Sequence, residues 1–260
     1  MRPTTSRLAE HGNITLKMYR IKPLQYNGQL IEYQVHHRPA VTRRIHLELN
    51  EDGGLRIIAP RRMSRRAIHR TLQQRVSRVA HFLADARTKL RERPVHRYIS
   101  GEEHLFLGQS HPLEVVEEPG KRGSVELVNG QIRVIAPDVR AEAISNRLIR
   151  WYRQQSRRQF SSRLELISET ASWTNGQAPT MRLRKMKRTW GSCSAAGVIT
   201  LNPHLVKAPP ECIDYVIAHE ICHLREHNHG KAFYALQEQL FPGWREAKTH
   251  LKTRAHIYLA

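Results

Sequence analysis

Hydrophobic residues alternate with polar ones from about residue 44, which is typical of β-strands. Residues 45–49 alternate, the turn residues EDGG follow, and LRIIAP continues the pattern as far as Pro60. This arrangement predicts a β-hairpin. A long helix with Ser64 as its N-cap is predicted next, because apolar residues then recur at helical spacing at Ile68, Leu72, Val76, Val79, Leu83 and Leu90.

A second hairpin and helix are predicted further along the chain. Apolar strands around residues 105–107 and 113–116 precede a hairpin that turns at Asn129-Gly130 and ends in QIRVIAP. The next helix, with a break expected near Ser156, is marked by Ile144, Leu148, Trp151, Phe160, Leu164 and Ile167. The pattern predicts two hairpin-and-helix units that share a sheet, related by duplication or by a common local solution.

The C-terminal part is predicted to contain strands followed by helices. MRLRKM is expected to form a strand, Ala196-Gly197 turns a hairpin into residues 198–201, and Pro210 suits the first turn of a helix that reaches about His227. The predicted fold class is therefore α+β. We expect three parts: an irregular tail at 1–35, a β-hairpin/helix domain at 36–140, and a domain that carries the chemistry at 141–260.

The stretch HEICHL places two histidines on one face of that last helix. His219 and His223 are four residues apart, about 40° around an α-helix, so both imidazoles can bind one ion. Glu220 lies at the edge of that face, where its carboxylate can reach a water on the metal but does not ligate easily. Tetrahedral zinc then needs a third protein ligand and an open position.

Three further histidines compete to be the third ligand. His227 lies eight residues beyond His219, about 12 Å along a continuous helix, which is too far for ligand bonds of about 2 Å to converge. His229 is better placed if the helix stops at Asn228 and the chain doubles back. His204, in the loop before the helix, is the reserve candidate.

Charge, composition and cysteine content narrow the class of protein. The 260-residue chain has a formal net charge of +20, which favours polyanionic partners such as nucleotides or nucleic acid. Its hydrophobic content of 40% excludes a wholly disordered chain. The 3 cysteines suggest no disulfide framework, and no apolar stretch predicts a signal peptide or a membrane span. We expect a soluble, cytoplasmic protein with no membrane partner.

Five motifs carry a resemblance to a known family: MKRTWGSCS, GVITLNP, IDYVIAHEICHL, NHGKAFY and FPGWREAKTHLK. In these motifs the chain resembles the YgjP-like metallopeptidase-domain proteins, relatives of the SprT and WLM zinc peptidases. The resemblance extends from about residue 35 to the last residue. It implies a zincin-like helical C-terminal part with metal on His219, His223 and His229, Glu220 as the general base, and an edge hairpin beside the metal helix.

The resemblance also implies where a substrate binds. The hairpin at residues 190–201 is expected to flank the metal helix, where zincin relatives hold an extended peptide against an edge strand. Trp190 and Ser192 are therefore candidate substrate contacts. Tyr234 is a third candidate, although a tyrosine at this helical spacing is more often a core residue. Cys193 and Cys222 are expected to be structural thiols rather than ligands.

The leading prediction is a zinc-dependent hydrolase, a metallopeptidase that acts on peptide or protein substrates. Zinc follows from the ligand type, and imidazoles also accept Ni²⁺ and other divalent metals. Two alternatives stay open. One is a nucleoside triphosphate pyrophosphohydrolase that uses the same metal site, an activity also attributed within the resembling family. The other is a basic nucleic-acid-binding module in which zinc is structural.

Overall fold

The computed structural model describes residues 22–38, 44–50, 52–120, 122–187 and 189–260. Contacts divide them into two compact units, the first ending at Glu92 and the second formed by Arg93–Ala260. Each unit has its own hydrophobic core. The mixed α+β class expected from the sequence is confirmed. None of the helices among the described residues is long and apolar enough to cross a membrane.

The first unit combines short strands with two helices. Its elements are β1 (Leu24–Tyr26), β2 (Gln29–Ile31), β3 (Tyr33–Arg38), β4 (His46–Leu49), β5 (Leu55–Pro60), α1 (Arg65–Gln73) and α2 (Val76–Glu92). Strands β1 and β2 form an antiparallel hairpin. A separate sheet has the order β3-β5-β4, in which β5 is parallel to β3 and antiparallel to β4.

Two expectations for this unit are wrong. The tail was expected to be irregular as far as residue 35, but strands begin at Leu24, because the Asn27-Gly28 turn reverses the chain with φ angles of 46° and 76°. Residues 1–21 of that tail lie outside the described residues. The single long helix is divided into α1 and α2, although the backbone N–H of Ala67 donates to the Ser64 hydroxyl as expected for an N-cap.

The second unit begins with a four-stranded sheet and continues into a helical region. Its strands are β6 (Glu103–Phe106), β7 (Gln109–Glu117), β8 (Ser124–Val128), β9 (Gln131–Ala136), β10 (Met181–Leu183), β11 (Gly191–Cys193) and β12 (Ile199–Leu201). Its α-helices are α3 (Ala141–Thr170), α4 (Pro210–Cys222), α5 (Lys231–Leu240) and α6 (Trp244–Tyr258), with 3-10 turns at Ser172–Thr174 and Pro203–Lys207.

The second unit contains two separate sheets that differ in size and strand order. The larger has the order β6-β7-β9-β8, with β9 parallel to β7 and antiparallel to β8. The smaller has the order β10-β12-β11, so β11 is an edge strand. The two hairpin-and-helix units therefore have separate sheets and do not share one as expected.

Helix α3 is continuous where a break was expected. The Ser156 hydroxyl is buried and lies 2.6 Å from the Tyr152 carbonyl oxygen and 2.9 Å from that of Pro203. Its polar group is thus satisfied inside the helix and by the turn that precedes α4. Ser156 therefore packs inside the helix and does not interrupt it.

The compact units divide at Glu92/Arg93, whereas the expected domain boundary lies at residue 140. The reason is packing, because Phe106, Leu113 and Ile132 of the larger sheet belong to the same core as α3 and α4. The functional assignment of the domains stays a prediction. Helix α4 lies at the centre of this core, with Ile213, Ile217 and Ile221 fully buried.

Candidate metal centre

Helix α4 positions the HExxH residues. His219 and Glu220 lie in its last turn, and His223 is the C-cap residue, with helical φ and ψ of −67° and −15°. The helix was expected to reach about His227, but it ends at Cys222. The next amides instead make turn bonds, in which Leu224 N–H donates to Ile221 O and Arg225 N–H to Cys222 O.

The early helix end lets the chain return toward α4. The Nε2 atoms of His229 and His219 lie 3.1 Å apart. The ring centroids of His219, His223 and His229 are separated by 4.9, 5.0 and 4.7 Å, so the three imidazoles form a nearly equilateral triangle. One nitrogen from each histidine lies within 4.8 Å of the others. The structure therefore brings together the three histidines that the resemblance implied.

This triangle fits a tetrahedral metal ion. For bonds of about 2.0–2.1 Å, two ligand atoms of tetrahedral zinc lie roughly 3.3 Å apart, close to the separation of the His219 and His229 nitrogens. A ligating imidazole must also be neutral. Burial lowers the pKa of His219 to about 4 and also lowers the pKa of His223, so these two rings keep a free lone pair at neutral pH.

Residues around the triangle fix its orientation. The Phe233 ring is fully buried beneath it, with its centroid 4.9, 4.6 and 4.7 Å from those of His219, His223 and His229. His223 Nδ1 lies 3.0 Å from the Glu226 carbonyl oxygen, which leaves Nε2 for a metal. Gln237 of α5 is fully buried beside His219, although neither polar atom of its side chain makes a hydrogen bond of good geometry among the described residues.

Glu220 faces the edge strand β11 and is not part of the triangle. It is only 4% exposed, and the backbone N–H of Cys193 donates a hydrogen bond to its carboxylate. A Cβ atom on Gly191 would lie 2.5 Å from Glu220 Oε1, so only glycine permits this approach. Burial raises the pKa of Glu220 to about 8. A nearby divalent cation would favour the ionised form.

The three candidate substrate contacts lie in different surroundings. Trp190 is half-buried and packs edge-on against Tyr258, with ring centroids 6.4 Å apart. Ser192 is half-buried on β11, opposite Thr200 of β12. Tyr234 is the candidate that contacts the triangle, since its ring lies 6.4 Å from that of His229 while it stacks on Trp244 at 5.3 Å.

The remaining candidates lie elsewhere. His204 Nδ1 is 3.1 Å from the Tyr258 carbonyl oxygen, and neither His204 nor His227 belongs to the histidine triangle. Cys222 is fully buried, and burial raises the pKa of its thiol to about 12. Burial also raises the pKa of Cys193, so neither group is a reactive thiolate at neutral pH.

Four contributors to the site were not identified from the sequence as functional. They are Gly191, Phe233, Gln237 and the carbonyl group of Glu226. Gly191 lies in the motif MKRTWGSCS, between Trp190 and Ser192. A glycine within a strand often marks a close approach of the backbone to another group, and this is the signal that could have identified it. For the Glu226 carbonyl no sequence signal exists, because every residue carries one.

The chain is similar to a known protein family and to a solved structure. A family model described as "YgjP-like, metallopeptidase domain" matches residues 43–254. The crystal structure of the metallopeptidase zymogen abylysin from Pyrococcus abyssi is similar over 38% of this chain and 96% of that chain, with 26% identity and a TM-score of 0.34. No curated protein matches the chain.

Proposed function

The chain belongs to the YgjP-like metallopeptidase-domain family, and on that premise we propose that it is a zinc-dependent peptidase. Its ligands are His219, His223 and His229, and its general base is Glu220. The convergence of the three imidazoles, with one nitrogen of each within 4.8 Å of the others, is the observation that carries this proposal. Three imidazoles leave one position of a tetrahedral ion open, as catalytic zinc sites require.

Zinc, when bound, supplies a Lewis acid that polarises the scissile carbonyl and lowers the pKa of water. Glu220 accepts the proton of the attacking water and delivers it to the leaving amine. The Cys193 N–H holds the carboxylate during both transfers. Burial raises the pKa of Glu220, whereas a divalent cation on the adjacent histidines would favour the ionised carboxylate that accepts a proton.

Strand β11 is the proposed binding surface for an extended peptide. It is the edge of its sheet, so one of its sides is not paired with another described strand. The proximity of its backbone to Glu220 supports this proposal, because a peptide bound along β11 would lie near the proposed base. We assign Ser192 and Tyr234 to contacts with the peptide, and Trp190 to the packing that supports the strand through Tyr258.

The proposal is tested with zinc-loaded full chain and a mixture of peptides read by mass spectrometry. Glu220→Gln should lower turnover by at least about 100-fold, because general-base catalysis contributes about 10²–10⁴-fold. It should leave the zinc content unchanged, since Glu220 is not a ligand. Glu211→Gln is the matched control, as Glu211 is exposed on the same helix. Full peptide cleavage by Glu220→Gln would disprove the mechanism.

The same preparations separate the two alternatives. Nucleoside triphosphates belong in the screen, and pyrophosphate release that disappears in Glu220→Gln would transfer the proposed chemistry from amides to phosphoanhydrides. A nucleic-acid partner is favoured by one concave surface of the first unit, lined by Lys22, Arg65, Arg66, His69, Arg70, Gln73 and Gln74. Binding of RNA or DNA there would weaken steeply with salt.

A further inference from the structure

A second group of potential metal ligands lies at the start of the larger sheet of the second unit. His96 lies in the segment before the sheet, Glu102 directly precedes β6, and His104 is within β6. One ligand atom from each lies within 4.8 Å of the others. We propose that His96, Glu102 and His104 form a second divalent-cation site, independent of the histidine triangle at the end of α4.

The backbone fixes the carboxylate of this group. Glu102 Oε2 accepts hydrogen bonds from the N–H groups of Arg97 and Tyr98, each at 2.7 Å. Tyr98 has a φ of 59°, an uncommon conformation for a residue other than glycine, and this places its amide toward the carboxylate. Because Oε2 is held in this way, Oε1 faces both imidazoles.

The two imidazoles approach Oε1 from one side. His104 Nε2 lies 3.2 Å from Oε1, which matches the roughly 3.3 Å between ligand atoms of a tetrahedral ion with bonds near 2 Å. His96 Nδ1 lies 2.5 Å from Oε1, within hydrogen-bond distance. For both atoms to bind one cation, they must move apart by about 0.8 Å (3.3 − 2.5). His96 lies outside the strands and helices, so this adjustment requires no change in a strand or helix.

His104 is the residue that most needs a partner. It is 3% exposed, and its Nε2 atom has no hydrogen bond of acceptable geometry among the described residues. Buried polar atoms are nearly always hydrogen-bonded or bound to an ion. A buried imidazole nitrogen that lies near a carboxylate but has no well-directed hydrogen bond is suited to bind a metal.

A cavity gives access to this group. It has a volume of about 240 Å³, and both His96 and His104 line it. Lys207 also lines it, and its positive charge opposes a cation near His104, whereas Glu102 and Glu103 act in the opposite direction. The Lys207 ammonium is held 2.8 Å from the Ala260 carbonyl oxygen. The cavity would therefore let a bound cation take water or an anion as a further ligand.

The donor set indicates the class of metal. Two imidazoles and one carboxylate suit zinc, cobalt or nickel, whereas magnesium and calcium prefer oxygen ligands alone. The site is therefore expected to take Zn²⁺ or Co²⁺ and to reject Mg²⁺. Its affinity does not depend on the peptidase proposal, because the two ligand sets share no residue.

The test uses Co²⁺ and the untagged full chain with His219→Ala and His223→Ala, which removes two ligands of the first site. This background should bind one equivalent of Co²⁺ with the visible absorption of a low-coordinate site. When His104→Ala is combined with this background, Co²⁺ binding should weaken by at least about 100-fold. Loss of a residue that only orients a metal ligand already costs about 10–100-fold. His111→Ala is the matched control and should have no effect.

His111 suits this purpose because it lies directly opposite His104 in the β6–β7 ladder and is also buried. Its Nδ1 atom is bonded to the Gly130 carbonyl oxygen, outside the proposed site. Circular dichroism checks that each variant is folded, and His96→Ala replaces His104→Ala if the latter unfolds. A background chain that binds no Co²⁺, or one whose binding survives the loss of His104 or His96, would overturn the proposal.

Discussion

Gly191 is the residue at which one added methyl group most directly disturbs Glu220. A Cβ atom there would lie 2.5 Å from Oε1, 2.8 Å from Cγ and 2.9 Å from Cδ of Glu220. Ordinary contact begins at 3.4 Å, so in Gly191→Ala the carboxylate must move by about 0.9 Å (3.4 − 2.5). Glu220 is only 4% exposed and cannot rotate freely into solvent.

This displacement sets the expected size of the effect. A misplacement of about 1 Å at a reacting group can lower the rate about 100-fold, equivalent to about 2.7 kcal/mol of activation free energy. Overpacking should also lower the free energy of unfolding by about 1–3 kcal/mol. The zinc content should stay the same, because the nearest atoms to the added methyl group belong to Glu220 and not to the three histidines.

The assay is kcat/KM for a cleaved peptide, measured beside zinc content and thermal unfolding. Gly243→Ala is the matched control, because its backbone φ is −77° and an added Cβ would meet only Phe241 at 3.8 Å. The control should retain its activity. If Gly191→Ala is folded, holds zinc and keeps wild-type kcat/KM, then Glu220 does not act from the position described.

Three further predictions concern the supports of the site. Phe233→Leu should weaken zinc affinity about 10–100-fold in a chelator competition, because the three imidazoles rest on that ring. Gln237→Leu should weaken it by a similar factor, and unchanged affinity would exclude a role in orienting the first histidine. Arg163→Ala should lower the free energy of urea unfolding by about 1–3 kcal/mol, since its Nη1 atom lies 2.6 and 2.7 Å from the two carboxylate oxygens of Asp214 on α4. Arg140→Ala, which removes an exposed ion pair, is its control and should leave the unfolding midpoint nearly unchanged.

Local patterns predicted the elements around the site. The β11–β12 hairpin and the start of α4 follow from Ala196-Gly197 and from the prolines at 209 and 210, which act within a few residues of their own position. The pairing of the first two histidines likewise depends only on helical geometry. These features need no knowledge of distant parts of the chain.

Features that depend on backbone bonds and long-range packing were not predictable. The end of α4 at Cys222 follows from turn bonds and from the contact between His223 and the Glu226 carbonyl group, which any residue could provide. The closeness of Gly191 to Glu220 joins two segments that are far apart in sequence. The separate sheets of the two units were also missed, because two similar hairpins give the same local pattern whether or not they pair.

Zinc-edge X-ray absorption tests the central claim most directly. The measurement is best made on zinc-loaded His104→Ala, so that the second proposed site does not contribute. The account predicts a shell of only nitrogen and oxygen at about 2.0–2.1 Å, with three imidazoles and one water-like oxygen. A sulfur ligand at about 2.3 Å from Cys193 or Cys222, four protein ligands, or a chain that binds no zinc would contradict it.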